Sequence, residues 1–89
     1  MKTAKVVAEL IREAIRAYSP ETPFTVDTDP RNQITVDIVG ESTVLYYYEA
    51  TYPYPEEVVI PQCSAFLACA LEESGVKFHF RHTTAVWTL

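Results

Sequence analysis

Eighty-nine residues, 48% hydrophobic and 21% charged, suffice for one packed core and exclude both a disordered chain and a second domain. Two cysteines are too few for a disulfide framework, and no apolar run approaches the roughly 20 residues of a membrane span. The net charge of −5 is concentrated: Glu21, Asp27, Asp29, Asp37, Glu41, Glu49, Glu56 and Glu57 face Arg31 alone over residues 21–57, whereas residues 1–16 are net basic.

Residues 4–18 have the spacing of an amphipathic helix, with Val7, Leu10, Ile11, Ala14 and Tyr18 on one face and Val6 and Ala17 at its margin. Lys5, Glu9, Arg12 and Arg16 form the opposite ridge. Thr3 is the expected N-cap, and Ser19-Pro20 the stop, because proline disfavours helical backbone in the residue before it. Met1 opens directly onto this charged helix, so the expectation is a chain without a signal peptide, in a reducing cytoplasm (that of a host cell, if the chain is phage-encoded).

Three alternating segments follow: Phe24–Thr28, Gln33–Val39 and Val44–Tyr52. Asp29-Pro30-Arg31-Asn32 and Gly40-Glu41-Ser42 have turn chemistry, and turns this short join antiparallel neighbours. In the third segment the expected phase sends Val44, Tyr46, Tyr48 and Tyr52 to the core, leaving Leu45, Tyr47, Glu49 and Thr51 on the open face. Residues 53–61, with three prolines, read as an extended connection.

A second helix is expected at about 62–74, burying Cys63, Phe66, Leu67, Ala70 and Leu71, with Gly75 as a left-handed C-cap. Val76–His82 alternates as a strand, and Thr83–Leu89 either continues it or forms another. The expected fold is a single α+β domain over residues 1–89, in the order α-β-β-β-α-β(-β). It is a two-layer sandwich: an antiparallel sheet of four or five strands with both helices on one face. Asp27, Asp37, Tyr47, Glu49, Lys77, His79 and Arg81 then lie on the uncovered face.

Catalytic chemistry has few bearers in this chain. Cys63 belongs to the buried stripe and Cys69 to its edge, about 9 Å further along the helix axis on another face, so the two do not pair and both are expected to be packing residues. His79 and His82, three apart on a strand, point to opposite faces and do not chelate one metal. The two glycines have turn duties, which removes any phosphate-cradling loop. The expectation is no enzyme, no metal, no cofactor and no small-molecule substrate.

The α-β-β-β-α order resembles the double-stranded-RNA-binding fold, which implies lysines at the start of the second helix. The corresponding segment here, Pro61-Gln62-Cys63-Ser64-Ala65, holds no base, so direct RNA or DNA binding is the weaker alternative. The same order is similar to the front part of type III secretion chaperones, which are acidic dimers, although their third helix has no counterpart; this gives a second alternative, a homodimeric peptide-binding adaptor.

The leading expectation is protein binding by the acidic, tyrosine-rich middle of the chain. Tyr47 and Tyr54 are the proposed anchors, with Asp27, Asp37, Glu49, Glu56 and Glu57 as the charge complement to a basic surface of a partner protein, such as one that binds nucleic acid. In size, charge and lack of catalytic motifs the chain resembles phage-encoded inhibitors, including anti-CRISPR proteins, which implies an inhibitor or regulator acting as monomer or homodimer.

Overall fold

Helix α1 (Ala4–Tyr18) begins and ends at the expected caps. Thr3, in extended backbone, accepts the Val6 N–H through its hydroxyl, and Ser19 donates its N–H to the Ile15 carbonyl. The computed structural model describes residues 3–89; Met1 and Lys2, counted above among the basic residues, lie outside them. The buried stripe is Ala4, Val7, Ala8, Ile11, Ala14 and Ile15, rotated from the expected face, so that Leu10 and Tyr18 are partly exposed. Apolar residues flank this stripe on both sides, and the periodicity therefore fixes the helix but not its rotation. Tyr18 stands edge-on to Phe66 of the second helix at 5.3 Å.

Three antiparallel strands follow: β1 (Phe24–Thr28), β2 (Gln33–Ile38) and β3 (Glu41–Tyr48). Asp29 builds the first turn, its Oδ1 accepting the N–H groups of Arg31 and Gln33 at 2.8 and 2.9 Å, while Asn32 takes the left-handed conformation. The second turn lies one residue earlier than its chemistry suggests. It is a two-residue loop, Val39-Gly40, with both φ values positive, between the paired Ile38 and Glu41.

Strand β4 (Glu57–Ile60) occupies part of the expected extended connection. Pro53, Pro55 and Pro61 flank it but leave Val58, Val59 and Ile60, a β-branched run with intact N–H donors, free to pair. Helix α2 (Ala65–Glu73) is capped by Ser64, whose Oγ accepts the Leu67 N–H. It closes in a Schellman motif, Val76 N–H to Leu71 O and Gly75 N–H to Glu72 O, with Gly75 at φ 90. The tail forms a hairpin, β5 (Phe78–Arg81) and β6 (Thr84–Thr88).

The result is an α+β two-layer fold, α-β-β-β-β-α-β-β, with six strands in the order β1-β2-β3-β4-β6-β5 and every neighbour antiparallel. β6 is inserted between β4 and β5. Both helices cover one face, and their buried side chains share one cluster with Val26, Ile34, Val36, Leu45, Val58, Ile60 and Trp87. Among the described residues no helix is long and apolar enough to cross a membrane.

Candidate functional site

Strand β3 decides the site, and its phase is opposite to the expected one. Thr43, Leu45 and Tyr47 point inward; Tyr46 and Tyr48 point out. Both parities of this strand are apolar, so alternation alone carries no phase. The two-residue turn sets it by placing Leu45 opposite buried Ile34, and β4 reinforces it by placing Tyr47 opposite Val58. Tyr47 is 4% exposed and joins an inward row with Val58, Trp87 and Phe78 across four strands. It is therefore a core residue and not a surface anchor.

The Tyr47 hydroxyl still reaches the rim, where it donates to Glu56 Oε2. Burial, with the hydrogen bond and charge of Glu56 adding to it, pushes this phenol up to about 12. Glu56 is thus engaged inside the molecule. Glu57 accepts from Arg81 Nη2 at 2.8 Å, a bond that reaches across β6 on the uncovered face. Between these partners β6 presents Val86, which is fully buried yet separate from the main core.

Four tyrosines of this stretch are exposed instead: Tyr46 at 37%, Tyr48 at 52%, Tyr52 at 97% and Tyr54 at 73%. The first two stand on the uncovered sheet face. The others belong to a turn in which Thr51 and Tyr54 exchange backbone hydrogen bonds around a cis Tyr52–Pro53 peptide. Tyr48, Tyr54, Glu49 and Glu57 line one open depression of about 610 Å³, together with Arg31 and Asn32 from the β1–β2 turn. Of the expected site residues, the structure therefore gathers Tyr47, Glu49, Tyr54, Glu56 and Glu57 at one end of β3 and β4. Asp27 and Asp37 are exposed on the same outer face as Tyr46, but on β1 and β2, where Asp37 accepts from Thr25. By register Asp37 lies roughly 20 Å along the strands from Glu57.

The remaining reactive groups do not converge. Cys63 is half-buried before α2, and burial pushes its thiol up to about 11, which keeps it protonated and a poor nucleophile. Cys69, expected to be packed, is exposed on α2. His79 points outward from β5, while His82 lies in the β5–β6 turn at φ 60 rather than in a strand. Among the described residues no group of three or more His, Cys, Asp or Glu is placed to hold a metal ion.

No family model, curated protein or solved structure matches this chain.

Proposed function

We propose that this chain is a non-enzymatic binding protein that docks the tyrosine-rich end of its uncovered sheet face on a basic surface of another protein. The observation that carries this reading is the exposure of Tyr46, Tyr48, Tyr52 and Tyr54 in one run of nine residues, beside exposed Glu49. A solvated strand end and the turn after it do not need four aromatic rings in water. Tyrosine supplies large, rigid contact area at low entropic cost and is enriched in interface hot spots. Glu49, with Asp27 and Asp37 further along the face, supplies the charge that steers a basic partner. Glu56 and Glu57 add charge at the same end and also brace the loop and β5, through Tyr47 and Arg81. The same surface suits an inhibitor or regulator that covers a nucleic-acid-binding face of its partner by placing carboxylates where phosphates would sit.

The test is affinity capture from the native host with the wild-type chain, the Tyr48→Ala/Tyr54→Ala double variant and a Leu10→Ala control on the helical face. A basic protein retained by wild type and control should bind the double variant at least about 30-fold more weakly, the loss of one hot spot. A partner indifferent to both tyrosines, or one without a basic surface, would sink the proposal.

A further inference from the structure

The sheet has two edges, and they are not equivalent. At β1 the residues paired through hydrogen bonds to β2 alternate with Phe24, Val26 and Thr28, whose backbone groups turn outward. Arg12 of α1 closes that edge, donating from Nη2 to the Val26 carbonyl at 2.6 Å. At β5 the two-residue loop His82-Thr83 makes Arg81 and Thr84 the hydrogen-bonded pair. Alternation then turns the backbone N–H and C=O of Phe78 and Phe80 outward, and no group among the described residues bonds to them. Their side chains point to the helical face, where Phe80 is 72% exposed. There they line a cleft of about 720 Å³ with Ile60, Cys63, Ala68 and Ala85.

We infer that the β5 edge receives an extended peptide segment of a partner as a seventh strand, with alternating apolar and acidic residues. Strand addition uses the outward amides of Phe78 and Phe80 for affinity and the adjoining cleft for side-chain selection. Charge fixes the occupant. The outer side of this edge carries His79 and Arg81, the latter shared with Glu57, exposed Lys77 precedes the strand, and β5 itself holds no carboxylate, so the incoming strand presents carboxylates there. Glu41 and Glu72 stand on the cleft lining, so the side chains entering it are apolar. A second copy fits less well, because pairing β5 with β5 would bring both sets of bases together. This surface lies at the opposite edge of the outer face from Asp27 and Asp37 and does not depend on the tyrosine-run proposal.

The experiment is fluorescence anisotropy with a labelled, end-capped heptapeptide of alternating Glu and Val, against its Lys–Val counterpart. The Glu–Val peptide should bind about tenfold more tightly, lose affinity with salt, and bind Phe80→Ala about tenfold more weakly. Peptides N-methylated at every second residue should lose binding in one phase and keep it in the other, the signature of a hydrogen-bonded edge. Phe80 is exposed, so its removal leaves the fold intact, which circular dichroism checks. The Tyr48→Ala/Tyr54→Ala variant should bind the peptide like wild type. Absence of Glu–Val binding at millimolar concentration, equal binding of the two peptides, or wild-type affinity in Phe80→Ala would each overturn the inference. So would sedimentation showing a dimer that Phe80→Ala dissociates, which would assign the edge to a second copy.

Discussion

Val39 holds a φ of 48 beside Gly40 at 81, so a β-branched side chain sits where the left-handed region crowds Cβ against the backbone. Gly40 meets this demand without cost; Val39 does not. Two-residue hairpin turns favour Asn-Gly, and Val39 is exposed, with no core role to lose. The substitution Val39→Asn is therefore expected to raise the unfolding free energy by about 1 kcal/mol, measured from urea midpoints; an unchanged or lower midpoint would contradict this account. The same turn explains what the sequence concealed. Gly40 marks a turn, but Gly40-Glu41-Ser42 and Val39-Gly40 are both plausible, and they differ by one residue. With Val44, Tyr46 and Tyr48 on one parity and Leu45 and Tyr47 on the other, hydrophobicity offered no correction, and the wrong tyrosines were assigned to the core. The exposure of Tyr54 and of the outward Asp27 and Asp37 was legible because each stands in a segment with a single apolar parity or in none; Glu49 is exposed because β3 ends at Tyr48, not because of its expected phase.

Among the elements, α1 was legible to the residue at both ends, since Thr3 and Ser19-Pro20 are chemical signals. Its rotation was not, because Leu10 and Ile15 are equally apolar and only packing against β1 and α2 chooses between them. β4 was hidden by its prolines. The element with the widest consequence is β1, whose outer edge is shielded by Arg12 alone among the described side chains. Arg12 is also held by Glu9 at 2.6 Å, which fixes the guanidinium toward the strand. Replacing Arg12 by Ala leaves the Val26 carbonyl without its donor and the edge open. The expected outcome is concentration-dependent self-association in sedimentation velocity, with a stability loss of about 1 kcal/mol in the monomer. A variant that stays monomeric at high concentration would show that the guanidinium does not guard this edge.

For the molecule as a whole, one core means one stability, and Tyr47 ties that stability to pH. The phenol's ordinary value of 10 applies to the unfolded chain and about 12 to the folded one. Its contribution is thus fully present below pH 10 and is lost as pH rises from 10 through 12. Trp87 shares Tyr47's inward row and reports the unfolding. The unfolding free energy of wild type minus that of Tyr47→Phe, followed by Trp87 emission in urea, should fall across that window. A difference that stays flat would mean that the buried phenol ionises as freely in the fold as outside it.

The uncovered face also has a polarity of its own: Asp27 and Asp37 toward one edge, exposed Tyr46 and Tyr48 at the centre, His79 and Arg81 toward the other. Strand order adds a consequence for biosynthesis. Because β6 joins β4 to β5, the link between the meander and the last hairpin is the final strand in the sequence. While a ribosome still encloses residues 84–88, β4 has one bare edge and β5 has no neighbour at all. At synthesis rates of roughly 5–20 residues per second, the nascent chain carries Val58 and Ile60 uncapped for seconds, and the sheet closes only once that strand has emerged.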